Sequence, residues 1–209
     1  AMRATDGVIL VINAASGIEV GSERAWKILV EKNIPSIIYI NKLDRENADF
    51  VKSVEAINKK FGKKCAVVTY PVGRESSLRG VVNLVTGEGM DLLSEDELVN
   101  AEVYKSLFVE AVAESDDALL EKYLEKGELS KEELLKAFRS ALISNSVIPI
   151  FAGSGSNNIG VKELLNAIVD DMPSPLDVPQ REGININTNV KVKIDPVKTG
   201  ALLGQVFKT

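Results

Sequence analysis

Ile34-Pro35-Ser36-Ile37-Ile38-Tyr39-Ile40-Asn41-Lys42-Leu43-Asp44 sets an unbroken, mostly apolar run against a polar tetrapeptide. A strand that is apolar at consecutive positions is covered on both faces, as in parallel sheets, so helices must flank it. The surrounding sequence supplies them. Gly7 to Asn13, residues 65–70 and Val147 to Phe151 are further apolar runs. Between the first two runs, Ser22 to Glu31 carries Ala25, Trp26, Leu29 and Val30 at helical spacing. Ala48 to Phe61 repeats the pattern with Phe50, Val51, Val54, Ile57 and Phe61. Each strand, helix, strand step is the βαβ unit of a doubly wound α/β domain, whose ligand loops lie at the carboxyl ends of the strands. Asn41 to Asp44 occupies one such end, and Gly153-Ser154-Gly155 follows the last run at another.

The stretch between the strand at 65–70 and the strand at 147 is far longer than a short loop-and-helix connection of about 30 residues. An insertion is expected there. Gly80 to Thr86 reads as a short strand, and three helices follow. Two of them open on capping boxes, Ser94 with Glu97 and Ser130 with Glu133. Leu98, Ala101, Phe108 and Val112 mark one apolar stripe, and Leu134, Phe138, Ala141 and Leu142 another. The main fold resumes at Val147, and Val161, Leu164, Leu165, Ile168, Val169 and Met172 give the cleanest amphipathic pattern of the chain. Met172-Pro-Ser-Pro-Leu-Asp-Val-Pro179 ends that helix, because proline cannot donate to a helix nor let its predecessor remain helical. The resulting division is 1–71 and 147–173 for the main domain, 72–146 for an α-rich inserted subdomain, 174–188 for a linker and 189–209 for the start of a second domain. Asn189 to Ile194 and Ala201 to Lys208 are strand-like, but so few residues do not close a β domain.

Composition excludes several classes. The chain has 209 residues, 45% hydrophobic and 26% charged, with a net charge of −5 and scattered basic residues. That balance opposes a wide nucleic-acid face while leaving room for small local patches. No apolar run approaches the roughly 18 residues that span a bilayer, so no membrane partner is expected and the setting reads as cytoplasmic. The single Cys65 lies in an apolar run and reads as a buried, reduced thiol. Histidine is absent, which removes imidazole catalysis and histidine-ligated metals within the chain. Lys59, Lys60, Lys63 and Lys64 read as a solvated helix end favourable to the helix dipole, and Trp26 as core.

Asp44 carries the chemistry. A carboxylate placed at the edge of a purine accepts hydrogens from both N1 and N2 of guanine. Adenine offers an acceptor at N1 and nothing at C2, so the charge would be left unpaired. The tetrapeptide alone is a common pattern; its place after a buried strand, together with the Ser154 turn after a second one, makes it a base-reading site. A phosphate-binding Gly-x-x-x-x-Gly-Lys-Ser/Thr stretch does not occur in the sequence.

Several separated segments then resemble, in order, translation elongation factor G and close relatives such as the tetracycline-resistance ribosomal protection proteins. They are Asp6-Gly7-Val8, Asn41-Lys-Leu-Asp-Arg-Glu-Asn-Ala-Asp-Phe50, Pro71-Val-Gly-Arg-Glu75, Gly80-Val-Val-Asn-Leu-Val85, Gly153-Ser154, Gly160-Val161 and Met172 to Pro179. The resemblance implies a partial P-loop GTPase sheet lacking its N-terminal phosphate-binding strands, with an inserted α-rich subdomain and the start of a β-barrel domain. It implies GTP or GDP as ligand, with Mg²⁺ expected only in the full-length parent. No catalytic residue and no metal ligand is assigned within these residues. By the same resemblance, Asn41 contacts the guanine and braces neighbouring loops, Lys42 lays its stem on the purine face, and Asp44 accepts from N1 and N2. Ser154 and the Gly155 amide hold their loop against O6. The family pattern there is Ser-Ala where this chain has Ser-Gly, and Asn83 stands where aspartate is usual. The parent is expected to be a ribosome-associated GTP hydrolase, and the isolated chain is expected not to hydrolyse GTP. Partners implied are the ribosome and, through the inserted subdomain, a ribosomal stalk protein; ribosome protection or docking is the alternative role. With the phosphate-binding strands absent, strand 7–13 is left as an apolar edge, expected to be covered by the strands after residue 189 or by another copy of the chain.

Overall fold

The computed structural model describes residues 2–62, 64–178, 181–197, 199–200 and 204. The run after Pro35 forms β2 (Ser36–Asn41), buried at every position up to Ile40. It lies between β1 (Val8–Asn13) and β6 (Ile148–Ala152), and β3 (Cys65–Val67) completes the sheet in the order β1, β2, β6, β3. All pairings are parallel, with Val8 opposite Ser36, Asn13 opposite Asn41 and Ile38 opposite Ile150. The register therefore brings the ends of β1, β2 and β6 to one rim, where Asn13, Asn41 and the turn after Ala152 meet.

Period-two alternation divides the core between the faces of the sheet. Leu10, Ile12, Ile38, Ile40, Ile148 and Ile150 point to one face, covered by α1 (Val20–Glu31) and α2 (Phe50–Phe61) through Trp26, Phe50, Val54, Ile57 and Phe61. Asp49 begins α2 by accepting from the Lys52 amide at 3.0 Å. Trp26 stacks on Phe61 with centroids 4.3 Å apart, and Lys64 lies over its ring at 5.8 Å. Of the lysines read as a solvated helix end, Lys60 pairs with Glu23 and Lys64 donates to the Asn145 carbonyl; Lys63 lies outside the described residues. Cys65 is buried, and desolvation pushes its thiol up to about 12.

The chain leaves the sheet earlier than its apolar run suggests. Instead of one strand over 65–70, β3 stops at Val67, and β4 (Thr69–Val72) pairs antiparallel with β5 (Gly80–Asn83). At the divergence the Ala152 amide donates to the Thr69 hydroxyl at 2.8 Å, so a side chain replaces the next ladder bond. β5 ends at Asn83 rather than Thr86, because the Asn83 side-chain oxygen accepts from the Val85 and Thr86 amides and turns the chain.

Next come α3 (Glu95–Ala113), α4 (Asp117–Lys126) and α5 (Lys131–Ile143), the first and last opened by the expected capping boxes. These helices do not enclose a core of their own. Phe108, Val112, Phe138 and Leu142 pack with Ile37, Tyr39 and Phe151, and so cover the second face of the sheet. Phe108 and Phe138 meet edge to face at 5.1 Å. Leu98, read as part of the buried stripe, is exposed.

α6 (Val161–Asp170) shares this second face, but Ala167 is its one buried residue. Leu165 is 56% and Val169 81% exposed, as is Val11 of β1 at 53%. The amphipathic pattern is real, yet much of its apolar face is exposed. Beyond the proline turn, β7 (Arg181–Ile184) and β8 (Lys191–Ile194) form a separate exposed hairpin. The segment read as a linker thus contains a strand, and β8 pairs with β7 rather than covering β1 as expected. The other edge of β1 has no strand partner among the described residues. The predicted strand 201–208 lies outside the described residues except for Gly204.

Candidate functional site

The rim of the sheet is built from two loops clasped together. After β2, Leu43 is buried and its amide donates to the Gly153 carbonyl, while the Gly153 amide donates to the Ile40 carbonyl at 3.0 Å. Lys42 sits at φ 64, a left-handed conformation uncommon for a side-chain-bearing residue. This twist buries Leu43 and leaves Lys42 exposed. After β6, the Ser154 and Ile159 backbones exchange bonds at 2.9 and 3.0 Å and close a six-residue loop.

Glycine is required at both ends of that loop. A Cβ on Gly153 would lie 2.1 Å from the Ile159 carbonyl and 2.4 Å from the Tyr39 hydroxyl, and one on Gly160, at φ 72, would lie 2.1 Å from the Ala152 carbonyl. Tyr39 donates its hydroxyl to the Ile159 carbonyl at 3.1 Å, and burial raises its pKa to about 12. Gly155 differs: the atom nearest to its would-be Cβ is 3.6 Å away, an ordinary contact.

The sequence-selected side chains are brought together except for Lys42. The Asn41 side-chain oxygen accepts from its neighbour, the Lys42 amide, at 2.8 Å and from the Gly155 amide, across the two loops, at 2.9 Å. The Gly155 amide, assigned to a base oxygen by the resemblance, is thus engaged by Asn41 here. Ser154 is fully buried, and its hydroxyl accepts from the Asn157 amide at 3.3 Å. Asp44 has two unlike oxygens. Oδ1 is buried with no hydrogen-bond partner, whereas Oδ2 receives the Ser156 hydroxyl at 3.5 Å and faces Arg45 Nε at 3.6 Å. The Ser154 hydroxyl first, then the residue's own backbone, Arg45 and Ser156 hold the carboxyl below the ordinary aspartate range, against the opposing effect of burial.

A buried carboxylate oxygen without a donor is an expensive arrangement, which sets Asp44 apart from the other charged groups of the rim. Ser156 and Tyr39 belong to this site although the motif reading passed over them; the serine repeat Ser154-x-Ser156 was the available signal. Among the described residues no group of three or more aspartate, glutamate or cysteine side chains is placed to hold a metal ion.

Comparison with known proteins gives a consistent outcome. The family model described as elongation factor Tu GTP binding domain matches residues 1–174. The elongation factor G 2 of Syntrophomonas wolfei subsp. wolfei is 35% identical over 219 aligned residues, covering 99% of this chain and 32% of that protein. The chain thus spans about a third of the length of this relative. A crystal structure of a protein from Thermus thermophilus superposes with a TM-score of 0.76 at 27% identity, over 86% of this chain and 29% of that one.

Proposed function

Because the chain belongs to the elongation factor Tu GTP-binding-domain family, we propose that it is the guanine-reading portion of a ribosome-associated GTP hydrolase of the elongation factor G type. The observation that carries this reading is the orphaned Oδ1 of Asp44 at the clasped rim. Guanine N1–H and N2–H₂ give the carboxylate the two donors it lacks. The Asn41 amide group contacts the ring, the exposed Lys42 stem folds over the purine face, and Ser154 fixes Asp44. The Gly155 amide shares its hydrogen between Asn41 and O6 of the base. Adenine would leave Asp44 facing an acceptor, a mismatch worth on the order of 10⁴ in affinity where the site is closed from water. The phosphates, Mg²⁺ and the attacking water are handled outside these residues, so the isolated chain selects the base without hydrolysing GTP.

The test is a ¹⁵N-resolved titration of the chain with GDP and with ADP, beside a phosphate-release measurement with GTP. GDP is expected to shift the amides of 41–44 and 153–157 with ADP silent, and phosphate release is expected to equal the protein-free blank. Equal response to both nucleotides would remove the guanine assignment.

A second role, docking on the ribosome or its stalk through the inserted helices, is supported by a different feature. Val99, Val103 and Leu107 form an exposed apolar stripe along α3, opposite the buried Ala101 and Phe108. Deleting the insertion would strip the sheet of Phe108 and Phe138, so the informative variant is Val103→Asp with Leu107→Asp, compared with the parent in a ribosome pull-down. Unchanged capture would exclude this stripe. The β1 edge without a strand partner among the described residues, with Val11 exposed on β1, supports self-association of the isolated chain. Sedimentation as a concentration-independent monomer would contradict it.

A further inference from the structure

We propose that Ser156 is a positioning residue for the base reader, fixing the orientation of the Asp44 carboxylate through its Oδ2. The inference rests on the guanine reading of the site and adds a residue that the Asn41-to-Asp44 and Ser154-Gly155 motifs do not contain.

The Ser154 hydroxyl accepts from the Asn157 amide and has a single proton to give. It lies 3.1 Å from the Ser156 hydroxyl, which in turn lies 3.5 Å from Asp44 Oδ2. Ser156 thus stands between Ser154 and Asp44, and its hydroxyl is the one placed within hydrogen-bond reach of Oδ2. Arg45 approaches that same oxygen from the solvent side at 3.6 Å, with its side chain largely exposed. An arginine on a mobile stem draws the carboxylate outward; the loop hydroxyls hold it at the rim.

Ser156→Ala and Ser156→Thr decide it with two readouts. The first is the titration midpoint of the Asp44 carboxyl carbon, followed by NMR without nucleotide. Removing a donor to the ionised form raises the midpoint in Ser156→Ala, and Ser156→Thr restores it. The second is GDP affinity, expected to fall roughly threefold to tenfold in Ser156→Ala, the range of one hydrogen bond, and to recover in Ser156→Thr. An unmoved Asp44 midpoint would overturn the proposal whatever GDP does. Tighter GDP binding in Ser156→Ala would also overturn it, showing that the hydroxyl competes with the base. Failure of the underlying reading looks different: the unaltered chain would then not distinguish GDP from ADP, while the midpoint shift would still report whether Ser156 holds Asp44.

Discussion

β2 and β7 are both strands, but one is enclosed and the other lies in solvent. β2 is paired on both sides, its side chains alternate into two separate cores, and it is buried to its last residue before Asn41. β7 has one partner and exposes all but Gly183; an exposed ion pair, Arg181 to Asp6 at 2.8 Å, ties its start back to the N-terminal end. The difference explains where the site is. The base-reading role proposed for Asp44 needs a carboxylate held in place, and the loop that carries it is clamped to a doubly covered strand. The hairpin has no comparable surroundings and carries none of the site residues.

If that contrast is right, perturbations should grade with burial. The largest effect is expected for Phe108→Ala, which empties a fully buried position in the second core and should lower stability by about 4 kcal/mol. Chemical denaturation measures it, and a loss under about 1 kcal/mol would show the inserted helices to be independent of the sheet. Next is Gly153→Ala, whose methyl has no room between Ile159 and Tyr39. It should cost about 3 kcal/mol and displace the 154–159 loop, visible as shifted amides across both site loops.

The alkaline limb of the pH profile should follow. Tyr39 and Tyr104 titrate near 12 in the folded chain against an ordinary 10.0, chiefly because burial disfavours phenolate. Raised folded-state values give stability that is complete below about pH 10 and is lost as pH climbs towards 12. Tyr39→Phe should therefore be destabilised by about 1 kcal/mol at neutral pH, through the lost bond to Ile159, and show a shallower alkaline decline. Thermal unfolding at about pH 8 and about pH 11 checks both parts.

Gly155→Ala tests the opposite sign in the same loop. With room at its Cβ and no positive φ, alanine should raise stability by about 0.7 kcal/mol by restricting the unfolded chain, and it should not weaken GDP binding. The smallest effect belongs to the hairpin: Arg181→Ala removes an exposed pair and should change stability by less than about 0.5 kcal/mol, while hydrogen exchange in β7 accelerates.

Much of this arrangement is readable in the residues, for one physical reason. Runs such as Ile37 to Ile40 and Ile148 to Ile150 are apolar at every position because both faces of the sheet are covered, and no other placement suits them. Capping boxes at Ser94 and Ser130 are equally local, each set by side chains three residues apart. What escaped the reading depends on distant partners. The break at Val68 arises because Thr69 meets the Ala152 amide, 83 residues away. The α6 pattern shows that Leu165 and Val169 form an apolar face but not that much of this face is exposed. In the site, Asn41, Asp44 and Ser154 stand out by motif. Ser156 and Tyr39 do not, since their parts come from the clasp between loops. The engagement of the Gly155 amide by Asn41 is likewise a product of the three-dimensional rim.

The central claim is that the Asp44 carboxylate reads the purine edge, and Asp44→Asn tests it most directly. Xanthine carries an oxygen where guanine carries the N2 amino group, so an amide at position 44 can donate where the carboxylate accepts. Titrating the parent chain and the variant with GDP and XDP should show GDP favoured by the parent and XDP by Asp44→Asn, a reversal of preference. Retention of GDP over XDP in the variant would contradict the account.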